Sequence, residues 1–292
     1  MILIVGCGFL GSYLLKHIKS LTDEKVVVLV RSMSNTIHYD DVDYVVGDIT
    51  DNNTLKCLAE KCYGKPLKAF YFAACHNIDY VYENPIKARK INVEALVNFF
   101  EIMPKFDKFF FASTDCVYGE GKNLTKIFDE NSLLAPVNEY GKQKAQAEQI
   151  VVSKGYNVLR FPFMIGPSLT SKMHFYDVIC SNLKNNIKVE MIDGMKRSVL
   201  SFSQTASIIY SLSTYESKLP PIINVCSDKE LSKYDIGLAI AEKLGAESSL
   251  VVSVSEEEGR KFFKDCRASV ATMDNTLLKS LLCTDRIIWD QN

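Results

Sequence analysis

The chain has 292 residues, of which 47% are hydrophobic and 24% are charged, and its formal net charge is -1. These values predict a globular protein with a sizeable core, and they argue against broad binding to nucleic acid or to an acidic membrane surface. The nine cysteines are scattered, without the C-x-x-C spacing of a zinc site, so we expect reduced thiols and no metal. The chain opens on an apolar strand without a charged leader, and no apolar run approaches the roughly 20 residues that span a bilayer, so we expect a cytoplasmic protein.

Short β-branched or aromatic runs alternate with segments of helical periodicity in the first half of the chain. The predicted strands are 2–5, 26–30, 44–46, 69–73, 109–113 and 158–161, and the predicted helices are 10–20, 53–61, 85–103 and 140–153. Runs such as VVVLV lack polar alternation, as expected for parallel strands that helices cover on both faces. The sequence therefore predicts an α/β fold with a doubly wound parallel sheet, the Rossmann arrangement.

Proline and glycine interrupt the chain after residue 161, and helical segments are predicted near 174–183, 203–213 and 232–243. We expect residues 1–161 to form the Rossmann domain. Residues 162–292 should form mainly a smaller C-terminal lobe that binds substrate, with some segments returning to the first domain. A cleft between the two units is where a second substrate would bind.

A G-x-G-x-x-G pattern follows the first predicted strand and opens the first helix; it runs from Gly6 through Gly8, Phe9 and Leu10 to Gly11. Such glycines permit unusual backbone angles, let a pyrophosphate approach the backbone and allow the helix to pack closely on the strand. The pattern predicts dinucleotide binding, and the alternative is a glycine-rich turn without a ligand.

Arg31 and Ser32 follow the second predicted strand, where NAD-binding proteins place a carboxylate that bonds the ribose 2′-hydroxyl. A guanidinium and a hydroxyl suit a 2′-phosphate instead, so NADP is favoured over NAD. The alternative is that Arg31 is a solvated cation at the end of a strand.

Tyr140 and Lys144 form a Y-x-x-x-K pattern inside a predicted helix, so the two side chains share one helix face. A nearby ammonium favours the phenolate and would lower the pKa of Tyr140, which would make it a proton donor or acceptor near neutral pH. The alternative is a surface pair, because this pattern occurs by chance on many helices.

Several further stretches occur in the order and spacing of one family. They are Gly47-Asp48-Ile49, Phe72-Ala73-Ala74, Asn92-Val93, FASTDCVYG (111–119) and Tyr140-Gly141-Lys142, followed by LRFPFMIGP (159–167), DGMKR (193–197) and INVCSD (223–228). Together with the glycine loop, they resemble the extended short-chain dehydrogenases/reductases. The later stretches are similar to the sugar-nucleotide branch, which is the NAD-dependent epimerase/dehydratase family with its dTDP-4-dehydrorhamnose-type reductases.

The resemblance implies a role for each matching residue. Tyr140 would exchange a proton, Thr114 would hydrogen-bond the substrate oxygen, and Lys144 would orient the cofactor ribose. The cofactor would be bound by Gly6, Gly8, Phe9, Leu10, Gly11, Arg31, Ser32, Asp48, Ile49, Ala73, Ala74, Lys144 and Pro162. The substrate would be bound by Ser113, Asp115, His76 and Arg197, of which Arg197 would meet the diphosphate.

Some of these assignments have structural alternatives. His76 is as well explained by a hydrogen-bonded structural role, Asp115 by capping the turn after its strand, and Asn92 by local packing. Cys75 and Cys116 are better explained as small packed hydrophobic residues.

The leading hypothesis is reduction, in which NADPH delivers hydride to a keto carbon of a nucleotide-linked hexose, often C4 of a 6-deoxy sugar. One alternative is a nucleotide-sugar 4-epimerase with retained NAD, and another is a non-catalytic NADP-binding regulatory relative. Cys116 stands where 4,6-dehydratases have a catalytic glutamate, so we do not expect dehydration. A homodimer through the predicted helices 85–103 and 140–153 is also implied.

Overall fold

The computed structural model describes residues 1–121 and 127–289. The strands in these ranges are β1 (Ile2–Val5), β2 (Val26–Val30), β3 (Val42–Val46), β4 (Lys68–Tyr71), β5 (Lys108–Thr114), β6 (Asn157–Phe161), β7 (Phe163–Ile165), β8 (Val189–Ile192), β9 (Lys196–Ser201), β10 (Ile222–Asn224), β11 (Glu230–Leu231), β12 (Val251–Val254) and β13 (Val270–Ala271). The α-helices are α1 (Phe9–Leu21), α2 (Asn52–Cys62), α3 (Ile78–Glu83), α4 (Pro85–Arg89), α5 (Ala95–Ile102), α6 (Glu139–Ser153), α7 (Phe175–Lys184), α8 (Phe202–Thr214), α9 (Lys233–Leu244), α10 (Glu256–Arg260) and α11 (Thr276–Leu282). No helix in the described ranges is both long and apolar enough to cross a membrane.

The central sheet consists of parallel strands in the order β10-β6-β5-β4-β1-β2-β3. Every residue of β1 and β2 is buried, as the unbroken apolar sequences of these strands predict. The predicted α/β fold with a doubly wound parallel sheet is therefore confirmed. Because β1 lies between β2 and β4, the winding changes direction there and leaves a crevice at the carboxyl ends of these strands.

Helices cover both faces of the sheet because alternate residues of each strand point to opposite sides. Ile2 and Ile4 of β1 face a cluster that includes α1 and α8, whereas Leu3 and Val5 face a cluster that includes α2, α5 and α6. Helix α8 and strand β10 come late in the sequence but belong to this core, since β10 pairs with β6.

The remaining strands form the smaller lobe. In it, β9 pairs with β7 and β13 in parallel and with β11 in antiparallel, and β8 pairs with β12 in parallel. Helices α7 and α9 pack on β8, and their shared core includes Ile179, Leu183, Met191, Ile236 and Ile240. The division of the chain at residue 161 stays a prediction.

Most predicted elements differ from the structure by one or two residues at their ends, and two of the differences matter for the crevice. The predicted helix 85–103 is divided into α4 and α5 by a π-helical turn, Lys90–Glu94. Strand β4 ends at Tyr71 rather than at residue 73, because the N–H groups of Phe72 and Ala73 both turn to the carbonyl oxygen of Val5, at 2.8 Å. Both changes occur beside the crevice.

Candidate active site

The glycine loop lies at the carboxyl end of β1. Gly6 has a φ of +94°, and a Cβ there would lie 2.8 Å from the backbone nitrogen of Ala73, while a Cβ at Gly11 would lie 2.3 Å from the carbonyl oxygen of Gly6. Packing therefore requires glycine at both positions. A Cβ at Gly8, the N-cap of α1, would meet no atom within 4 Å. The space beside Gly8 faces the first turn of α1, whose N–H groups have no partner within the helix and suit an anion.

Two side chains of the glycine pattern pack inside the protein. Leu10 is buried in the core, and the ring of Phe9 lies 4.7 Å from the ring of His174 and 6.0 Å from that of Phe202. Any contact of Leu10 with a cofactor would therefore be made by its backbone.

Arg31 and Ser32 follow β2 and are both exposed. Ser32 caps a 3-10 turn, Met33–Asn35, by accepting a hydrogen bond from the Ser34 nitrogen at 3.2 Å. Arg31 lies close enough to the loop after β4 for its charge to influence Cys75 and His76. His76 is accessible to solvent but has protein around it, so its pKa is lowered by incomplete hydration and then by the charges of Lys172, Arg31 and Lys144. Cations therefore gather around this crevice.

Three further residues assigned to the cofactor lie at the carboxyl edge of the sheet. Asp48 is exposed and accepts hydrogen bonds from the nitrogen and hydroxyl of Thr50, at 2.9 and 2.7 Å. Ile49 is buried in the core, and Pro162 is buried between β6 and β7. Their roles toward a cofactor stay predictions.

Asn92 fixes the loop that follows β4. Its side-chain oxygen accepts a hydrogen bond from the Cys75 nitrogen at 2.7 Å, and its amide nitrogen donates to the Cys75 carbonyl at 3.1 Å and to Gln143 at 3.0 Å. Asn92 lies in the π-helical turn and Gln143 in α6. Asn92 therefore links the loop containing Ala73 and Ala74 to the helix of Tyr140, which supports its structural interpretation.

Ser113 and Thr114 are neighbours at the end of β5, and their hydroxyl groups point to opposite sides of the strand. Ser113 is buried and donates to Glu148 at 2.5 Å, and Glu148 is paired with the buried Arg160 at 2.7 Å. This contact turns Ser113 toward the interior, and its role toward a substrate stays a prediction. Thr114 points to the other side, where it accepts from the Cys116 nitrogen at 3.2 Å and donates to Asp115 at 3.0 Å.

Tyr140 lies in the first turn of α6, which Asn138 caps by accepting from the Gly141 nitrogen at 2.8 Å. The ring is almost entirely buried in a cluster with Cys116 and Val81. The prediction of a lowered pKa for Tyr140 is wrong for this arrangement: burial raises its pKa, and Cys116, Asp115 and Cys75 raise it further. Tyr140 therefore holds its proton at neutral pH.

Lys144 lies one turn after Tyr140 and is 2% exposed. Its Nζ lies over the ring of Phe111, 3.8 Å from the ring centroid, and no hydrogen-bond acceptor contacts it within the described ranges. Burial lowers the pKa of Lys144 to about 7, although Glu148 opposes this effect. A buried ammonium of this kind suits the hydroxyl groups of a ligand.

Asp115 and Arg197, both predicted to bind substrate, contact each other. The Arg197 guanidinium donates to Asp115 at 2.7 Å and lies 3.8 Å from the Cys116 sulfur. Asp115 is 3% exposed. The pair joins the loop after β5 to β9 of the lobe.

Sequence reasoning missed a group of cations and aromatic rings beyond Arg197. Burial lowers the pKa of Lys233, and the charges of Arg197 and Arg267 add to this effect. Lys233 lies 5.5 Å from the ring centroid of Phe175 and 5.4 Å from that of Phe263. These three residues and Phe262 help to line a cavity of about 670 Å³. The run RKFFKDCR (260–267), in which basic residues flank two aromatics, is a signal that could have found Phe262, Phe263 and Arg267.

Three features of the crevice suit a bound dinucleotide. Gly8 leaves space at the first turn of α1, Lys144 presents a buried ammonium without an acceptor among the described residues, and Arg31 is an exposed cation beside β2. Among the described residues, no group of three or more His, Cys, Asp or Glu side chains is placed to bind a metal ion.

Comparisons with known proteins place the chain in a family. The model of the NAD dependent epimerase/dehydratase family matches residues 2–225. The dTDP-D-glucose 4,6-dehydratase of Dictyostelium discoideum is 25% identical over an alignment of 264 residues, which covers 80% of this chain and 60% of that protein. The chain thus spans less than two thirds of that relative.

Two solved structures share the fold. A UDP-glucose 4-epimerase from Thermus thermophilus in complex with NAD has a TM-score of 0.79 at 17% identity, covering 96% of this chain and 92% of that one. A hypothetical dTDP-4-dehydrorhamnose reductase from Sulfolobus tokodaii has a TM-score of 0.79 at 22% identity, covering 99% and 98%. By the family match, the resemblance stated from the sequence is confirmed: the chain belongs to the NAD-dependent epimerase/dehydratase family.

Proposed function

We propose that this protein is an NADPH-dependent reductase that acts on a keto group of a nucleotide-linked hexose, at C4 of a deoxy sugar. The observation that carries the proposal is the order of groups from Tyr140 outward. Arg197 lies beside Asp115 and Cys116, its charge reaches Lys233, and Lys233 borders the cavity lined by Phe175 and Phe263. A sugar, a diphosphate and an aromatic base have this order in a nucleotide sugar.

The reducing step needs a proton donor next to the keto oxygen. Bound NADPH would supply the hydride. Tyr140 holds its proton at neutral pH, because burial raises its pKa, and it would give this proton to the sugar oxygen. The Thr114 hydroxyl would hydrogen-bond the same oxygen, and Lys144 would bind the ribose hydroxyl groups of the cofactor.

The preference for NADPH is supported by Arg31, an exposed guanidinium at the end of β2 where a carboxylate would select NAD. Net reduction consumes its cofactor, whereas an epimerase recycles a retained NAD. The charges around the crevice therefore favour reduction over epimerisation.

A 4-epimerase is the second candidate, because the Thermus epimerase shares the fold across nearly the whole chain. A non-catalytic relative is the third, and the presence of Thr114, Tyr140 and Lys144 weighs against it. A cytoplasmic location and a homodimer remain part of the proposal.

The test is a screen of dTDP-, UDP-, GDP- and CDP-linked keto sugars with NADPH or NADH. Cofactor oxidation should be followed by absorbance and the products identified, with Tyr140→Phe as the matched inactive variant. We expect stoichiometric oxidation of NADPH with at least one 4-keto sugar. Interconversion of unmodified C4 epimers by protein that carries bound NAD and consumes none would establish the epimerase instead.

A further inference from the structure

A short segment of the lobe, residues 167–174, reaches back over the glycine loop; we call it the strap. Both of its ends are fixed to one carboxylate, because Asp177 accepts hydrogen bonds from the nitrogen of Ser168 at 3.1 Å and from that of His174 at 2.7 Å. Its first residue is also held, since the Tyr13 hydroxyl of α1 donates to the Pro167 carbonyl at 2.8 Å. The strap is therefore a closed loop with a fixed base.

The tip of the strap contacts the turn that follows β2. The Ser171 hydroxyl donates to the Ser34 carbonyl at 3.1 Å and to the Asn35 side-chain oxygen at 2.7 Å. Ser34 and Asn35 follow Arg31 and Ser32 after one intervening residue, and we assign Arg31 and Ser32 to the adenosine end of the cofactor. The strap thus crosses from the lobe to the far side of the dinucleotide crevice.

Lys172 lies next to this contact and is exposed. Its Nζ is 6.0 Å from the ring centroid of Phe9, the first residue of α1, and its charge reaches His76 in the loop after β4. No carboxylate lies within ion-pair distance of Lys172 in the part of the chain that the structure describes. Lys172 therefore adds an uncompensated positive charge beside the helix end that faces the crevice.

We infer that the strap covers the bound dinucleotide and that Lys172 binds its diphosphate, as a cofactor ligand contributed by the substrate lobe. The inference rests on the proposed binding of a nicotinamide dinucleotide. The first turn of α1 attracts a diphosphate, and the Lys172 Nζ lies 6.0 Å from the ring centroid of Phe9 in that turn. Because NADH and NADPH share the diphosphate, Lys172 strengthens the binding of both, whereas Arg31 distinguishes them.

The experiment is calorimetric titration of the protein with NADPH and with NADH at two salt concentrations. We expect Lys172→Gln to weaken the binding of both cofactors by the same factor, roughly three- to tenfold at low salt. The loss of affinity should be smaller at high salt, where charges are screened. Lys172→Arg should remain within about twofold of wild type. Lys154→Gln is the matched control, since Lys154 is an exposed cation at the C-terminal end of α6, the end opposite Tyr140. This variant should bind like wild type.

The outcomes separate the two proposals. If Lys172→Gln binds both cofactors like wild type, the inference is wrong while the proposed function stands. Weaker binding of NADPH alone would also refute the inference, because that result would assign Lys172 to the 2′-phosphate. A wild-type protein that binds neither dinucleotide would refute the proposed function, and the inference with it.

Discussion

The carboxylate of Asp115 and the guanidinium of Arg197 meet at 2.7 Å between the loop after β5 and the strand β9, and the two side chains are 4% and 19% exposed. Removing one partner of a buried pair leaves a poorly hydrated charge. We expect Asp115→Asn and Arg197→Gln each to lower the free energy of unfolding by roughly 3 kcal/mol. The double variant should lose less than the sum, which urea unfolding of all four proteins would measure. Strict additivity would contradict the coupling.

Arg31→Asp should reverse the cofactor preference from NADP(H) to NAD(H). The change removes the positive charge that favours a 2′-phosphate and introduces a negative charge that repels it. Titration of both proteins with both cofactors measures the effect. Equal affinity of the wild-type protein for the two cofactors would refute the assignment of Arg31.

Tyr140→Phe should leave folding and cofactor affinity nearly unchanged, because it removes one hydroxyl and little volume. Turnover should fall by roughly 10²- to 10⁴-fold, as is typical when a positioned proton donor is lost. Steady-state kinetics on the substrate found by the screen would test this. Wild-type turnover in the variant would show that Tyr140 is not the proton donor.

The stability contribution of Lys144 should depend on pH. Burial lowers its pKa from 10.5 to about 7, so the folded protein disfavours its charged form. This cost is absent above pH 10.5, grows as the pH falls toward 7, and is constant below that value. Lys144→Met should therefore raise the free energy of unfolding by roughly 1 to 3 kcal/mol at pH 7 and by less at pH 9.5. Urea unfolding at both values is the measurement, and a gain that increases with pH would contradict the assigned shift.

We expect no 4,6-dehydration of dTDP-glucose, UDP-N-acetylglucosamine or GDP-mannose. Burial, followed by the charge of Asp115, raises the pKa of the Cys116 thiol, so it stays protonated and cannot remove the C5 proton of a sugar. Product analysis by mass spectrometry would detect a dehydrated sugar. Such a product, lost in Asp115→Asn, would overturn the reductase proposal in favour of a dehydratase.

Much of the fold follows from periodicity in the sequence. The buried strands β1 and β2 have the predicted bounds, because unbroken apolar runs leave few alternatives. The π-helical turn Lys90–Glu94 and the early end of β4 were not predictable in this way. They depend on contacts of Asn92 with Cys75 and of Phe72 with Val5, which the folded chain brings together.

In the candidate site, too, some features follow from the sequence and others depend on the folded chain. Tyr140 and Lys144 could be named because helical spacing fixes their relation. The raised pKa of Tyr140 and the Asp115–Arg197 pair could not, since they depend on residues far apart in the sequence. Lys172 and Lys233 carry no local motif, and only the folded arrangement of the lobe places them beside Phe9 and Phe175.

The position of β10 at the edge of the central sheet affects the order in which the protein can be made. The preceding strand of the sheet, β6, ends at Phe161, whereas β10 spans Ile222–Asn224. A chain growing on the ribosome must therefore release about sixty further residues, including α8, before β6 gains its second neighbour beside β5. Until then β6 offers an unpaired edge to other nascent chains. The cofactor domain is thus completed only after much of the lobe has been synthesised.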